Sequence, residues 1–448
     1  MNINMKNDLI EGPIFRSLVI FALPIFFSNI FQQLYNTVDT MIVGHFLGDS
    51  SLAAIGACSS IYELMIGFGL GVGSGLAIVT ARSYGSSDEY LLKKSVASAI
   101  VIGIVVSLSI TLLAAVILMP LLQVLNTPAE IIEQSYSYIN VITRFTIVMF
   151  AYNLCAGLLR AIGNSFMPLM FLIFSSMINI VLDYYFIVFM HMGIKGAAVA
   201  TVISQALSVI LCLFYIYYRA KILLVKKEHF VFDKGIYLEM IGQGLSMGFM
   251  SSIVSCGSVI LQYGINGLGT LVIAGHSAAR KLFFFFSMPL ASMANALVTF
   301  VSQNKGANKV ERIIKGMKIS YLYSLVVTIL IVILSMLFAK DMVRLLSGST
   351  SDIVIDNGAL YLQIGAPFYF VLGMLINTRN SLQALGSKIM PLVSSIIELV
   401  GKIIFVIVFI PKYQYYAVIL CEPVIWCVMC IQLLWVFWQY PYIKNYVK

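Results

Sequence analysis

Two aspartates in the first half of the sequence, Asp39 and Asp183, lie in apolar segments with no lysine or arginine within a helical turn. Asn179 lies four residues before Asp183 and therefore shares its helical face, and Thr201 could supply a further oxygen. Buried carboxylates that lie close together hold a proton more readily than exposed ones, and the same oxygens could instead bind sodium. These residues predict a cation site. The structural alternative is that Asp39 merely pairs with Arg144.

The composition is that of a protein embedded in a membrane. Of the 448 residues, 60% are hydrophobic and only 10% are charged, whereas soluble chains average about 45–50% and about 25%. A charged side chain at the centre of a bilayer costs about 2.5–3.5 kcal/mol even on a lenient scale, so intramembrane acids usually mark ion or substrate paths. The composition disfavours a soluble enzyme, a disordered chain and a secreted disulfide scaffold. The polar N-terminus lacks a signal-peptide pattern, so we expect the first helix to be retained.

Apolar runs separated by polar, glycine or proline residues predict twelve membrane-spanning helices, numbered here as spans 1 to 12. Their predicted ranges are 17–42, 52–80, 95–119, 134–158, 168–190, 196–218, 236–265, 270–301, 318–339, 358–378, 389–411 and 414–438. Because each span crosses the membrane, successive connections lie on alternate sides. Twenty of the twenty-eight lysines and arginines fall on the side of the two termini, and four fall on the other side.

This charge asymmetry predicts a multi-pass protein of the plasma membrane with both termini in the cytoplasm. The basic connections would meet anionic lipid headgroups, so the net charge of +9 requires no nucleic-acid partner. We expect a monomer.

The chain is duplicated internally. Leu47-Gly48 recurs as Leu268-Gly269, and the segment 160–168 matches 383–391 at four of nine positions, at nearly the same displacement along the chain. Several matches that keep the same order, and that are shifted along the chain by nearly the same number of residues, indicate a repeat. Six spans per half predict an all-α membrane protein of two six-helix lobes, related by a parallel pseudo-two-fold axis. The predicted organisation is a first lobe, a basic cytoplasmic linker and a second lobe, at residues 1–218, 219–235 and 236–448.

Other residues of the spans suggest structural roles. Lys402 follows Glu398 by one helical turn, so the two can neutralise each other. Arg280 and Lys281 lack a nearby acid in the sequence, which does not identify their partners. The alternating glycines of 67–75 resemble a phosphate-binding loop only superficially, because no strand precedes them, and they indicate close helix packing instead.

The segment 22–44, with Ala-Leu-Pro-Ile-Phe at its start and Phe-Gln-Gln-Leu-Tyr-Asn-Thr-Val-Asp further on, resembles helix 1 of the multidrug and toxic compound extrusion (MATE) family. Similar motifs follow in family order: Leu159-Arg-Ala-Ile-Gly-Asn, Asn179-x-x-x-Asp183, Gly196-Ala-Ala-x-Ala-Thr201 and Ser302-Gln-Asn-Lys-Gly-Ala. The resemblance implies a twelve-helix antiporter that exports organic, often cationic, drugs or metabolites by alternating access. It implies exchange for H⁺ or Na⁺ and no other cofactor.

The resemblance also implies roles for individual residues. The family's cation site maps onto Asp39, Asn179, Asp183 and Thr201, and the adjoining substrate and hydrogen-bond network onto Gln32, Tyr35, Asn36 and Asn153. Pro24 corresponds to the proline that bends helix 1, and a proline inside a helix does remove a backbone hydrogen bond. Apart from Glu239 at the cytoplasmic edge of span 7, spans 7 and 10 lack the acids of the NorM branch and offer amides instead, at Gln243, Gln262 and Asn377. The sequence therefore resembles the DinF-type branch.

Three other functions are weighed against this interpretation. A lipid-linked saccharide flippase of the same superfold needs a basic cavity, which Arg144, Arg280 and Lys281 could provide. A membrane-embedded enzyme is disfavoured because the four histidines are dispersed and no His-Glu-x-x-His or Gly-x-Ser-x-Gly motif occurs. A passive channel is disfavoured because a parallel repeat with paired acids suits a rocking carrier. We predict a transporter and not an enzyme.

Overall fold

The computed structural model describes residues 8–125 and 127–447, and every regular element in these ranges is helical. Twelve long segments follow one another: α1 (Ile14–Leu47), α2 (Asp49–Gly85), α3 (Glu89–Val124), α4 (Ala129–Arg144 and Thr146–Ala161), α5 (Phe166–Phe189), α6 (Ile194–Tyr218), α7 (Lys234–Asn266), α8 (Thr270–Gly306), α9 (Val310–Ser347), α10 (Asp352–Ala384), α11 (Ile389–Tyr413) and α12 (Tyr415–Gln439). The linker contains two short 3-10 turns, Lys221–Leu223 and Lys227–His229, and the short helix α13 (Pro441–Val447) follows α12.

Each predicted span overlaps one of these twelve segments. Eleven segments are individually long and apolar enough to cross a membrane, and α4, bent by 49° between its halves, can serve as the twelfth. The prediction of an all-α membrane fold with twelve spans is confirmed. The helices extend beyond the predicted ranges because hydropathy marks only the part that lies in lipid. For example, α3 begins at Glu89, where the Asp88 carboxylate accepts a hydrogen bond from Leu91 N at 2.9 Å and caps the helix.

The backbone carries the same repeat as the sequence. Four positive-φ positions of the first half recur in the second half: Gly48 (82°) as Gly269 (96°), Ser87 (60°) as Asn308 (55°), Gly163 (88°) as Gly386 (88°), and His191 (50°) as Gln414 (53°). Two of these four pairs contain no glycine, so the repeated conformation belongs to the shared turn geometry and not only to residue type. The displacements match those of the sequence repeat.

The chain divides into two compact units. Within the described residues, the first unit holds 8–12 and 23–252, and the second holds 13–22 and 253–447. The border therefore falls inside α1, between Ala22 and Leu23, and inside α7, between Ser252 and Ile253. The predicted lobe limits at 218 and 236 stay a prediction.

In the first unit, α2 and α7 approach until their backbones touch. A Cβ atom at Gly71 would lie 2.7 Å from Met247 O, and one at Gly75 would lie 2.7 Å from Gln243 O. Real Cβ atoms do not approach backbone atoms this closely, so both positions require glycine. The prediction that the alternating glycines of 67–75 serve close helix packing is confirmed at these two positions.

Candidate cation and substrate site

A cavity of about 540 Å³ lies within the first unit, among α1, α2, α4 and α6. Its polar and aromatic lining residues are Gln32, Tyr35, Asn36, Asp39, Thr40, Cys58, Ser59, Tyr62, Glu63, Tyr138, Tyr152, Asn153, Thr201 and Gln205. The volume falls in the range of small-molecule sites, about 300–1,000 Å³. Among the described residues, the lining includes two carboxylates and no lysine or arginine, so its fixed charge is negative.

The two aspartates singled out in the sequence meet at this cavity. Asp39 on α1 lines the cavity and is 8% exposed, whereas Asp183 on α5 is fully buried. Their carboxyl groups lie within hydrogen-bonding contact of each other, and Oδ1 of each has no hydrogen-bond partner among the described residues. Two carboxyl groups can share a hydrogen bond only when one carries a proton. The geometry therefore suits one positive charge held between the two acids.

Asn179, one turn before Asp183 on α5, connects the acid pair to its surroundings. With its amide oriented by its neighbours, its nitrogen donates to Asp183 Oδ2 at 2.9 Å and its oxygen accepts from Thr201 N at 3.2 Å. The Thr201 hydroxyl lies 3.2 Å from the hydroxyl of Tyr35. The structure thus brings the four predicted cation-site residues together from α1, α5 and α6. That they bind a cation stays a prediction.

The predicted substrate network also reaches the cavity. Gln32, Tyr35, Asn36 and Asn153 all line it. The Asn153 amide nitrogen donates to Met149 O, one turn earlier on α4, at 2.9 Å. This bond uses one of the two amide hydrogens of Asn153, and the side chain forms part of the cavity wall.

Pro24 is not among the lining residues of the cavity. The helix α1 continues through it from Ile14 to Leu47, and the Ser28 hydroxyl donates to Pro24 O at 2.8 Å. Pro24 lies two residues beyond the point where α1 passes from the second unit to the first. A missing backbone donor at that place weakens the helix where the two units share it.

Arg144 does not neutralise Asp39. Its side chain is exposed at the bend of α4, and Asp39 Oδ1 has no hydrogen-bond partner among the described residues. The structural alternative of an Asp39–Arg144 pair is therefore wrong.

The end of α5 contains a feature that the sequence did not reveal. A π-helical turn, Tyr185–Phe189, begins two residues after Asp183, and Met190 N donates to Tyr185 O at 3.1 Å. Single π-helical turns are rare and frequently accompany functional sites. The equivalent helix α11 has the same turn at Phe405–Phe409. No residue type in either segment signals it.

The sequence reasoning also assigned no role to Glu63. It is the second carboxylate of the cavity wall, beside Tyr62 on α2 and with Tyr138 on α4. The only signal in the sequence is an acid inside a predicted span, which does not say what the acid faces.

Four intramembrane charges of the second unit neutralise one another. Lys402 Nζ lies 2.8 Å from Glu398 Oε1 on the same helix, which confirms the predicted pair, and 3.7 Å from Glu422 Oε1. Arg280 Nη1 lies 2.5 Å from Glu422 Oε2 and donates to the Tyr361 hydroxyl at 3.2 Å. Two cations and two acids therefore form one charge-balanced cluster. Lys281, the other cation singled out in the sequence, is exposed.

This cluster occupies the positions that form the cavity wall and cation site in the first unit. By the displacements of the repeat, Arg280 corresponds to Ser59, Tyr361 to Tyr138 and Lys402 to Asn179. The equivalent helices α6 and α12 begin at Ile194 and Tyr415, and their alignment from these starts places Glu422 level with Thr201. The second unit thus has charged, paired side chains where the first unit has the uncharged residues Ser59, Asn179 and Thr201.

A family model described as MatE matches the chain twice, over residues 24–185 and 246–408. The chain belongs to the MATE family. The two matches fall on the two halves of the repeat. Among the relatives of this MATE protein is the probable multidrug resistance protein YoeA of Bacillus subtilis (strain 168), 25% identical over 87% of the chain and 85% of the relative. The DNA damage-inducible protein F of Escherichia coli (strain K12) is 23% identical over 82% of the chain and 81% of the relative.

The fold is that of solved MATE structures. A crystal structure of MATE in the bent conformation superimposes with a TM-score of 0.91 over 98% of both chains, at 20% identity. This MATE protein is therefore a multi-span membrane protein of a multidrug efflux transporter family, and relatives are named as multidrug resistance and multidrug export proteins. The predicted membership of the MATE family, with a DinF-type relative, is confirmed.

Proposed function

We propose that this MATE-family protein exports organic, often cationic, compounds in exchange for protons, with sodium as the alternative coupling ion. It works as a monomer in the plasma membrane with both termini in the cytoplasm. An ion entering from outside binds at Asp39 and Asp183 and bends α1, and the cargo leaves the cavity outward. The empty carrier then returns inward. The observation that carries the proposal is the buried acid pair with a free oxygen on each carboxylate.

The surroundings of the acid pair favour a proton over sodium. A hard metal cation needs several oxygen ligands at once. Here the Asn179 amide oxygen already accepts from Thr201 N, and the Thr201 hydroxyl is bonded to Tyr35. A single proton needs only the contact between Asp39 and Asp183. Because Asp39 lines the cavity and Asp183 is buried, the proton reaches the pair through Asp39.

The cavity favours a cationic cargo. Its lining, as far as the structure describes it, has carboxylates at Asp39 and Glu63, four tyrosines and no basic side chain. Aromatic faces attract organic cations and also bury their apolar parts. An anionic lipid-linked saccharide finds less support, because Arg280 is paired with Glu422 and Arg144 does not line the cavity.

Pro24 is the element of the cycle that bends α1. Its place next to the border between the units supports this role, as does the description of other MATE structures as bent and straight. Protonation of Asp39, fifteen residues further along the same helix, would shift the balance between the two shapes of α1.

Transport in proteoliposomes tests the proposal. Ethidium movement is measured under a pH gradient alone and then under a sodium gradient alone, with the wild type, Asp39→Asn and Asp183→Asn. We expect the pH gradient to drive transport in the wild type and each variant to lose at least about 90% of the gradient-driven rate, because the pair can no longer exchange a proton.

The matched control is Asp49→Asn, which changes an exposed aspartate at the start of α2, outside the cavity. It keeps the wild-type rate. Full transport by both Asp39→Asn and Asp183→Asn would reject the assignment, and transport driven only by the sodium gradient would replace the proton with sodium.

A further inference from the structure

Glu63 is an acid of the cavity wall that the proposed exchange of ions does not use. Its side chain on α2 is exposed and lines the cavity. Among the described residues its carboxylate has no ion pair or hydrogen bond. An ionisable side chain placed within a membrane at a free energy cost usually serves function. The Glu63 carboxylate thus lacks a positively charged partner among the described residues.

The packing of the repeat does not require an acid at this position. The equivalent residue of the second half is Phe284, which is apolar and exposed. A role in holding α2 in the fold would leave Glu63 buried and paired, as Glu422 is in the second unit. Its free position on the cavity wall points to a ligand instead.

Glu63 also stands apart from the acid pair. Asp39 and Asp183 contact each other, and among the described residues no hydrogen bond or ion pair joins either of them to Glu63. The cavity therefore offers two separate places for positive charge. One is the pair, where a proton satisfies two carboxyl groups, and the other is a single carboxylate on an open wall.

The walls of the cavity define what the second place can hold. Four tyrosines line it together with Glu63: Tyr35, Tyr62, Tyr138 and Tyr152. A carboxylate beside aromatic faces is the setting in which quaternary or protonated organic amines bind, because both attract a diffuse positive charge. A volume of about 540 Å³ leaves room for a compound with several rings and not merely for an inorganic ion.

We propose that Glu63 binds the positive charge of the exported compound, while Asp39 and Asp183 hold the coupling ion. The inference rests on the proposed function in that it takes this cavity as the place where cargo binds. Because cargo and ion sit on different acids, protonation of the pair displaces the cargo through the shape of α1 and not by occupying the same carboxylate. The pH dependence of cargo binding therefore survives without Glu63.

Binding of two ions of equal shape and opposite charge tests the role of Glu63. Dissociation constants are measured for tetraphenylphosphonium and tetraphenylborate with the purified wild type, Glu63→Gln and Glu63→Asp. We expect Glu63→Gln to weaken phosphonium binding roughly tenfold, the effect of losing one charge contact at an open wall, and not to weaken borate binding. Glu63→Asp keeps the charge and stays within about threefold of the wild type.

Two further variants separate the inference from the proposed function. Glu133→Gln changes an exposed acid of α4 outside the cavity and binds as the wild type does. Phosphonium binding remains pH-dependent in Glu63→Gln and loses that dependence in Asp39→Asn. Equal phosphonium affinity of the wild type and Glu63→Gln, or equal losses in Glu63→Gln and Glu63→Asp, would overturn the role of Glu63 alone. No phosphonium binding by the wild type would instead overturn the proposed cationic cargo.

Discussion

The acids within the membrane differ in whether their charge is already neutralised. Glu398 and Glu422 are held by Lys402 and Arg280 in the second unit, whereas Asp39 and Asp183 keep free oxygens in the first. The pair one helical turn apart, Glu398 and Lys402, could be predicted from spacing alone. The contact between Arg280 and Glu422 joins residues 142 positions apart, and no local pattern in a sequence reveals such a contact.

Asn179 is expected to influence how the Asp39–Asp183 pair exchanges a proton, without exchanging a proton itself. The change Asn179→Ala removes the donor at Asp183 Oδ2 and the acceptor at Thr201 N, so one buried carboxylate and one backbone amide lose their partners. We expect proton-driven ethidium transport to fall about tenfold with a change in its pH dependence. A variant with the wild-type rate and pH profile would show that Asn179 is not part of the site.

The ion cluster of the second unit is expected to support stability and not coupling. The change Glu422→Gln leaves Arg280 and Lys402 facing a single acid and should lower the free energy of unfolding by about 3–5 kcal/mol, because a buried charge loses its counter-ion. The double change Arg280→Met and Glu422→Gln restores the charge balance and should recover much of that loss. Thermal unfolding in detergent measures both. A single variant as stable as the wild type would contradict this account.

At the level of helices, the sequence predicts where the helices lie along the chain, but it does not predict how they bend or which helices contact each other. Hydropathy found every span because lipid requires about twenty apolar residues in a row. It could not find the bend of α4 or the π-helical turn at Tyr185–Phe189, because neither has a characteristic residue type. The lone acids Asp39 and Asp183 and the family resemblance both predict a shared cation site, but spacing alone does not bring α1 to α5.

The contact between α2 and α7 gives a prediction for single helices. The change Gly75→Ala places a methyl group 2.7 Å from Gln243 O and should destabilise the protein by about 1–3 kcal/mol through overpacking. The control is Gly56→Ala on the same helix, where a Cβ atom meets nothing within 4 Å, and it should be neutral or slightly stabilising. Equal unfolding temperatures for the two variants would contradict the close approach of the helices.

For the whole molecule, the repeat explains the architecture but not why equivalent positions of the two halves have different roles. The two halves are related by nearly the same shift in residue number in the sequence motifs, in the backbone turns and in the two family matches. The positions equivalent to Ser59, Asn179 and Thr201 nevertheless hold three charged residues of the second half, which form a charge-balanced cluster together with Glu398. A duplicated fold with one set of free acids leads us to expect a single coupling site, located in the first unit.

Proton release during cargo binding tests this central claim most directly. Tetraphenylphosphonium is added to purified protein in weakly buffered solution near neutral pH, and the protons released per bound cation are counted with a pH indicator. We predict that the wild type and Glu422→Gln release protons, and that the double variant Asp39→Asn and Asp183→Asn releases none. Equal release by the double variant and the wild type would contradict the account, since the exchanged proton would then come from somewhere other than the acid pair.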